Sequence, residues 1–290
     1  MQKLKACILG TGNIGTDLLI KIMRSPYIEC SMFVGRNLKS KGMSKALSLG
    51  ITLSDKGIDA IIENPNCCDL VFDATSAASH FEHAPILEKL NKITIDMTPA
   101  KIGILTIPAV NLEEAINGNN VNMITCGGQA SIPIAYAISQ VTQNIQYIEV
   151  VSTIASKSAG HGTRINIDEY IETTEKAISK FTKCDNVKSI INLNPAIPSI
   201  DMNTTIFVKV DNPNLDSIKK SIDAMYTKIK RYVSGYEIIL GPVYDNGVII
   251  VTVRVQGNGD YLPKYAGNLD IINCAAIAVA EEFAKNKIKD

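Results

Sequence analysis

The sequence predicts an α/β protein with an N-terminal doubly wound parallel sheet and a C-terminal α+β domain. In the first part, short apolar runs of strand length alternate with helical segments. In the second part, longer β-type runs have fewer helices between them, as in a mixed or antiparallel sheet. With 290 residues, 46% of them hydrophobic, the chain has enough apolar material for two cores.

The N-terminal elements follow from the spacing of apolar residues and turn residues. Strands are predicted at residues 4–9, 28–34, 70–74, 93–96 and 123–125. Helices are predicted at residues 13–24, 41–49, 81–89 and 132–143. Pro26 ends the first helix and Gly50 the second. Because a helix follows almost every strand, we expect the strands to be parallel.

The C-terminal part has a different texture. Strands are predicted at residues 147–154, 205–210 and 248–256, and helices at 167–181, 215–229 and 269–287. We divide the chain into a dinucleotide-binding domain (1–127), an α+β catalytic and dimerisation domain (128–267) and a helix that returns to the first domain (268–290).

Composition narrows the class of protein. Lys and Arg number 29, as do Asp and Glu, so the surface is not expected to bind a nucleic-acid backbone. No apolar run reaches the roughly 20 residues of a membrane span, and no signal peptide is expected. Seven irregularly spaced cysteines without zinc-type pairing predict free thiols, a cytoplasmic protein and no metal site.

A glycine-rich turn follows the first predicted strand. Gly10, Gly12 and Gly15 match the pattern G-x-G-x-x-G, which permits a tight turn, close approach of a pyrophosphate and close packing of helix on strand. The free N–H groups of the following helix favour phosphate. The turn therefore predicts a Rossmann domain that binds a nicotinamide dinucleotide.

The second predicted strand ends without the acidic residue that usually grips the ribose of NAD. Arg36 lies there instead, and a guanidinium accommodates a 2′-phosphate. NAD and NADP both remain open, as does a surface charge with no ligand.

The segment around Cys126 is the most informative in the sequence. Cys126 follows an apolar run, and Gly127 and Gly128 leave its sulfur uncrowded at the start of a helix. A helix N-terminus favours thiolate, so we expect a lowered thiol pKa. Free amides nearby would stabilise an oxyanion. With a nicotinamide, such a thiolate adds to an aldehyde, a hydride leaves and a thioester remains. From these residues alone, a buried structural cysteine stays open.

Several motifs together resemble a known family. They are Gly10-Thr-Gly-Asn-Ile-Gly-Thr-Asp-Leu-Leu19, Asp73-Ala-Thr-Ser-Ala77, Asp96-Met-Thr-Pro-Ala100, Thr125-Cys-Gly-Gly-Gln-Ala130, Ser156-Lys-Ser-Ala-Gly160, Gly162-Thr-Arg164, Asn192-Leu-Asn-Pro195 and Tyr261-Leu-Pro-Lys-Tyr-Ala-Gly-Asn-Leu-Asp270. In this order they resemble the acylating acetaldehyde dehydrogenases, partners of 4-hydroxy-2-oxovalerate aldolase in the breakdown of aromatic compounds.

The resemblance implies roles for particular residues. Cys126 would carry the acyl thioester, and coenzyme A would accept the acyl group. Asn268 would reach the nicotinamide. The remaining implied cofactor contacts are Thr11, Gly12, Asn13, Ile14, Lys157, Ser158, Ala159, Gly160, His161, Gly162, Thr163, Arg164 and Ile165. A homodimer and a complex with the aldolase are also implied.

The chain departs from the family at the proposed general base. Thr204 occupies the position where relatives carry an Asp, and a hydroxyl does not replace a carboxylate. We expect that His161 or Asp201 substitutes, or that the coenzyme A thiol needs no protein base. His80 and His83 are spaced for one helix face, and we expect a packing role rather than a metal.

Two other functions fit parts of the sequence. One is a semialdehyde or acyl-phosphate reductase of the same fold group, in which Lys157 and Arg164 would bind phosphate. The other is a non-catalytic nucleotide-binding scaffold for an aldolase, in which Cys126 has no chemical role.

Overall fold

A parallel sheet forms the N-terminal part of the molecule. The computed structural model describes residues 3–289, excluding the side chains at positions 161, 162, 288 and 289. Within that range the first sheet has seven strands, all parallel, in the order β3-β2-β1-β4-β5-β7-β6. The strands are β1 Leu4–Leu9, β2 Ile28–Val34, β3 Leu53–Ser54, β4 Leu70–Asp73, β5 Ile93–Asp96, β6 Ile104–Leu105 and β7 Asn120–Asn122.

Helices lie between these strands along the chain, and the last of them follows β7. They are α1 Asn13–Ile22, α2 Lys41–Ser48, α3 Asp59–Glu63, α4 Ala77–Lys89, α5 Pro108–Ile116 and α6 Cys126–Ser139. The doubly wound sheet is therefore confirmed, but the sequence missed the two-residue edge strands β3 and β6. Pairs this short carry too little apolar pattern to detect.

The strand predicted at 123–125 and the helix predicted from 132 were both misplaced. The strand ends at Asn122 because Ile124 adopts a left-handed conformation, φ +62°, which no strand continues. The helix begins six residues early, at Cys126, because the Thr125 hydroxyl accepts the N–H of Gly128 and caps its first turn. Cys126 is thus the first residue of α6.

A mixed sheet forms the second part. Its order is β11-β12-β10-β8-β9, and only β8 and β9 are parallel. The strands are β8 Tyr147–Ala155, β9 Val187–Asn194, β10 Met202–Lys209, β11 Tyr236–Asp245 and β12 Val248–Val255. The helices are α7 His161–Ile165, α8 Ile167–Thr182, α9 Leu215–Lys230 and α10 Gly267–Lys289. The mixed sheet was expected, although β9 and β11 were missed.

The second sheet is covered on one face only. Buried residues alternate with partly exposed ones along β8, β10 and β12, as in a sheet with a single packed face. Helices α6, α8 and α9 contribute buried side chains to the same core as these strands. Three large apolar residues of β11 are exposed: Ile239, Leu240 and Val243.

Helix α10 packs on the first part of the chain. Its residues Ile272, Ala275, Ala276 and Val279 share a hydrophobic cluster with the parallel sheet. The boundaries 1–127, 128–267 and 268–290 given above for the three domains stay predictions. In the described part of the chain, no helix combines the length and apolar character that crossing a membrane requires.

Candidate active site

One cavity lies where the parallel sheet, α10 and the second part of the chain meet. Three loops that follow strands of the parallel sheet line it, at residues 74–76, 97–99 and 124–126. The other lining residues are Ile14, Thr163, Asn166, Tyr170, Asn268, Leu269 and Ile272. The cavity is therefore at the carboxyl ends of the strands, where open α/β sheets bind their ligands.

Cys126, the first residue of α6, lines this cavity. Its thiol lies 3.7 Å from the hydroxyl of Tyr170. Gly127 leaves room for that contact, since a Cβ there would lie 2.1 Å from the Tyr170 oxygen. A larger residue at position 127 would push Tyr170 away from the sulfur.

The expectation of a lowered thiol pKa was wrong for this structure. Burial raises the pKa of Cys126 to about 11, against smaller opposing effects of the Tyr170 hydroxyl and the amides of Gly127 and Cys126. Desolvation of the sulfur outweighs the contacts that favour its ionised form. The thiol therefore needs a proton acceptor or a nearby positive charge before it reacts.

Tyr170 is a site residue that the sequence reasoning missed. Burial raises the pKa of its phenol well above the ordinary value, so it remains a hydrogen-bond donor. It also contacts Ser152, whose hydroxyl lies 3.0 Å from that of the buried Thr204. A run of hydroxyls thus leads from the sulfur to position 204. The signal in the sequence was a tyrosine on the inner face of the helix that follows the 157–165 loop.

The glycine-rich turn has the geometry expected of a phosphate-binding turn. Gly10 has φ +116°, a conformation suited to glycine. A Cβ at Gly15 would lie 1.9 Å from the carbonyl oxygen of Gly10, so helix and turn pack closely. Gly12 has no neighbour within 4 Å of such a Cβ, which leaves its backbone open. Ile14 carries the turn into the wall of the cavity.

The remaining residues near this turn differ in exposure. Thr11 is half-buried, with its hydroxyl 3.3 Å from that of Ser40, and Asn13 is exposed. Arg36 is exposed and directly follows Gly35 at the end of β2.

Among the described side chains of the 157–165 segment, one lines the cavity. Thr163 lines the cavity. Arg164 turns back, donating to the carbonyls of Ala159 and Ser156 at 3.1 and 3.0 Å. Of the others, Ser158 and Ala159 are buried, and Lys157, Gly160 and Ile165 are exposed. The side chain of His161 and position 162 lie outside the described residues.

Asn268 is buried in the cavity wall. Its side-chain oxygen has no hydrogen-bond partner among the described residues. It lies inside the first turn of α10, which begins at Gly267. A buried amide with a free oxygen is suited to a polar ligand.

Asp201 is not brought to the cavity. It precedes β10, and its carboxylate lies 3.4 Å from the side-chain amide of Gln256. Thr204 is fully buried two residues into the strand. The structure therefore separates Asp201 from Cys126 and connects Thr204 to it through other hydroxyls.

Fold and cavity together define a class of protein: a Rossmann-type sheet and a mixed sheet that share a cysteine-containing cavity. Solved structures with this architecture include aspartate semialdehyde dehydrogenase with NADP from Candida albicans. That match has a TM-score of 0.67 and 14% identity, and covers 97% of this chain and 100% of the other. Aspartate semialdehyde dehydrogenase II from Vibrio cholerae matches with a TM-score of 0.64 and 12% identity, covering 98% and 99%. These likenesses establish the fold.

Sequence comparison establishes the family. Residues 126–263 match the family model described as prokaryotic acetaldehyde dehydrogenase, dimerisation. The chain is 57% identical to acetaldehyde dehydrogenase of Pectobacterium atrosepticum over 97% of its length and 95% of the relative's. It is 57% identical to that of Spirochaeta aurantia over 98% and 96%. The chain therefore belongs to the acetaldehyde dehydrogenase family.

Proposed function

We propose that this enzyme is an acylating aldehyde dehydrogenase. It converts acetaldehyde or another short-chain aldehyde, coenzyme A and NAD(P)+ into acyl-coenzyme A and NAD(P)H through a thioester on Cys126. The observation that carries the proposal is one cavity containing Cys126, Ile14 of the glycine-rich turn and Asn268. The names of the relatives supply the substrate class.

The residues present fit a nicotinamide dinucleotide. The open backbone at Gly12 and the N-terminus of α1 suit the pyrophosphate. The unpartnered oxygen of Asn268 suits the carboxamide N–H. When bound, the group would supply the hydride acceptor and, in its oxidised form, a positive charge beside the sulfur.

Cys126 performs the covalent chemistry. Its sulfur adds to the aldehyde carbonyl carbon and forms a hemithioacetal. The N–H groups of Cys126 and Gly127 face the sulfur and are placed to stabilise the developing oxyanion, whereas the N–H of Gly128 already binds Thr125. After loss of hydride, a thioester remains on Cys126. The thiol of coenzyme A then attacks the thioester carbonyl, and the Cys126 thiolate leaves.

The proton of the Cys126 thiol needs a destination, because burial keeps its pKa near 11. The neutral thiol donates to the Tyr170 oxygen, whereas the phenol donates to the sulfur once the thiol is ionised. Tyr170 therefore stabilises the thiolate rather than removing the proton, since its own pKa is raised well above the ordinary value. Because Asp201 does not line the cavity, His161 and a reaction without a protein base are the favoured candidates, and Asp201 is tested beside them. If His161→Ala and Asp201→Asn each leave the rate within about tenfold of the unmodified enzyme, neither is the base.

The reaction is tested by one factorial assay. Reduced cofactor is measured with acetaldehyde or propanal, with NAD+ or NADP+, and with coenzyme A, phosphate or neither acceptor. The proposal expects turnover that depends on coenzyme A. Turnover that depends on phosphate would instead indicate an acyl-phosphate or semialdehyde reductase. Absence of turnover in every arm would favour the non-catalytic scaffold.

Cofactor choice is proposed to depend on Arg36. The residue is exposed at the end of β2, where it is placed to meet a 2′-phosphate. Arg36→Ala would raise KM for NADP+ by about tenfold and leave KM for NAD+ within about twofold. Equal changes for both cofactors would assign Arg36 no role in the choice.

We propose that the open face of the second sheet forms a homodimer. Ile239, Leu240 and Val243 are 48%, 48% and 43% exposed there, and the matched family model is a dimerisation domain. Light scattering of the unmodified chain and of Leu240→Asp tests this: a dimer that the substitution splits supports it, and a monomeric unmodified chain contradicts it. The resemblance extends the proposal to a complex with 4-hydroxy-2-oxovalerate aldolase, tested by co-elution of the two purified proteins.

A further inference from the structure

Three neighbouring strands of the parallel sheet end in the same way. In each, the last residue accepts the backbone N–H two residues further on, which closes an Asx turn. Asp73 accepts from Thr75 at 3.2 Å and Asp96 from Thr98 at 2.7 Å. Asn122 accepts from Ile124 at 2.8 Å. These turns begin the three loops, 74–76, 97–99 and 124–126, that line the cavity.

Direct bonds connect two of the turns. The side-chain amide of Asn122 donates to the Asp96 carboxylate at 2.6 Å and to the carbonyl of Thr98 at 2.9 Å. The loop after β5 and the loop that carries Cys126 are therefore held together. The backbone carbonyl of Asp73 accepts the N–H of Met97 at 2.9 Å within the sheet. Its carboxylate has no hydrogen bond to Asp96 or Asn122, so a connection between these side chains depends on another residue.

His80 supplies that connection. Its Nδ1 lies 2.9 Å from Asp73 Oδ2, and its Nε2 lies 3.5 Å from Asp96 Oδ2. The side chains of all three residues are fully buried. Nε2 also lies 3.5 Å from the side-chain nitrogen of Asn120. Both ring nitrogens of His80 face a carboxylate, through a hydrogen bond to Asp73 and an ion-pair contact with Asp96, and the doubly protonated ring is attracted to both.

The charges in this group favour that form. Although burial acts against it, the hydrogen bond to Asp73 and the charge of Asp96 raise the pKa of His80. Burial raises the pKa of Asp96 to about 7, with His80 opposing. At Asp73, burial acts to raise the carboxyl pKa, but hydrogen bonds from His80 and His83 outweigh it and lower that pKa to about 2. Asp96 therefore titrates near neutral pH, and its protonation is linked to that of His80.

We propose that His80 is a positioning residue: as an imidazolium between Asp73 and Asp96, it fixes the three cavity loops relative to one another and so sets the position of Cys126. The inference rests on the proposed function in that Cys126 is the nucleophile. His80 itself does not line the cavity and acts through Asp96 and Asn122.

His83 provides a matched control on the same helix. Its Nδ1 lies 2.8 Å from the same Asp73 oxygen. Its side chain is 12% exposed, and its ion-pair contact is with Asp73 rather than Asp96. If the histidines only neutralised Asp73, substituting either one would change the cavity to the same extent. If His80 connects Asp73 to Asp96, only the substitution of His80 changes the position of Cys126.

The first test uses the unmodified protein. With three histidines in the chain, the imidazole nitrogens are resolvable by NMR. The proposal expects both nitrogens of His80 to be protonated at neutral pH and to lose a proton only above the ordinary histidine range, about 6.5. A neutral His80 with one protonated nitrogen at pH 7 overturns it.

The second test follows the iodoacetamide alkylation rate of Cys126 against pH, by mass spectrometry, in unmodified protein, His80→Gln and His83→Gln. With a thiol pKa of about 11, the thiolate fraction rises about tenfold per pH unit in this range, so each rate is first divided by that rise. We then expect a step of at least about twofold near neutral pH in the unmodified protein and in His83→Gln, and no step in His80→Gln. The same profile in both variants, or no step in the unmodified protein, overturns the proposal.

Turnover gives a third measurement. In His80→Gln we expect kcat to fall at least about tenfold, with KM for the dinucleotide within about threefold, and in His83→Gln we expect both within about twofold. Equal losses of kcat contradict the proposal. The NMR and alkylation tests need no aldehyde turnover, so failure of the proposed function and failure of this inference are distinguishable.

Discussion

Two buried charge clusters hold the walls of the cavity, and they differ in how they respond to pH. In the Lys21 cluster, one ammonium contacts Asp17 and Asp270 at 2.8 Å and Asp260 at 3.1 Å. It ties α1, which follows the glycine-rich turn, to the loop before α10 and to α10 itself. Although burial opposes it, the charges of Asp270 and Asp17 raise the pKa of Lys21, so its charge is permanent.

The His80 cluster holds the wall formed by the loops after β4, β5 and β7. Burial raises the pKa of Asp96 to about 7, and although burial opposes it at His80, Asp73 and Asp96 raise the pKa of His80. One wall is therefore fixed by a permanent charge, whereas the interactions that hold the other depend on pH. Four substitutions test this difference between the two clusters.

The largest effect is expected at Cys126, which lines the cavity. Cys126→Ala removes the nucleophile and should lower aldehyde oxidation by at least about 10³-fold. Since Cys126 belongs to neither cluster, we expect the midpoint of thermal unfolding to change by only about 2 °C. Oxidation that survives the substitution would remove the covalent mechanism and leave both clusters as purely structural features.

The next effect is on stability, in the Lys21 cluster. Lys21→Met removes the ammonium from Asp17, Asp270 and Asp260, of which Asp260 keeps its ion pair with Arg24. Because buried Asp17 and Asp270 lose their cation, we expect a loss of about 3 kcal/mol or more in the free energy of unfolding.

The control is Lys219→Met, because Lys219 pairs with Asp223 on an exposed helix face. That variant should lose about 0.5 kcal/mol or less. If urea unfolding shows similar losses of unfolding free energy in the two variants, the Lys21 cluster does not stabilise the contact between α1 and α10.

The third effect separates the clusters by pH. Asp96 has a folded pKa of about 7, above its unfolded value, so the folded state binds more protons than the unfolded chain between about pH 4 and pH 7. Stability must therefore fall as the pH rises through that window. The raised pKa of His80 acts in the same direction, since its contribution is lost as the pH rises through the folded pKa.

Urea unfolding at about pH 5 and about pH 8 measures the difference. We expect unmodified protein to lose about 2 kcal/mol over that range, and Asp96→Asn to lose less. The control is Asp260→Asn in the Lys21 cluster: Arg24 and Lys21 lower the pKa of Asp260 despite its burial, so it does not titrate in this range. If Asp260→Asn rather than Asp96→Asn removes the pH dependence, the assignment of the two clusters is reversed.

The smallest effect is expected at Tyr170. Its hydroxyl lowers the pKa of Cys126 against the effect of burial, so Tyr170→Phe should raise that pKa and slow alkylation of Cys126 about threefold at about pH 8. Tyr136→Phe, on the same helix as Cys126, serves as the control and should leave the rate unchanged. A faster reaction in Tyr170→Phe would mean that the phenol shields the sulfur instead.

Features that depend on neighbouring residues could be predicted from the sequence. Gly10 and Gly15 satisfy requirements of their own turn, as the glycine pattern predicted, and Ile14 in the helix after the turn lines the cavity. The alternation of apolar runs with helices was sufficient for the parallel sheet. The start of α6 was missed because the N-cap at Thr125 precedes a helix that contains two glycines and Pro133, which weaken the helical pattern.

Features that depend on distant residues could not be predicted. Tyr170 meets Cys126 across 44 positions of the chain, and Asn122 meets Asp96 across 26. The thiol pKa was predicted with the wrong sign because desolvation of the sulfur is a property of the assembled cavity, whereas the helix N-terminus is local. The same applies to His80, whose two carboxylate partners lie on different strands.

The central claim is that the Cys126 sulfur carries the acyl group. The direct measurement is mass spectrometry of the protein incubated with acetaldehyde and oxidised dinucleotide but without coenzyme A. We predict an acetyl group on Cys126 that is released as acetyl-coenzyme A when coenzyme A is added. An unmodified Cys126 after reduced cofactor has formed, or an acetyl group on another cysteine such as Cys67, would contradict the account.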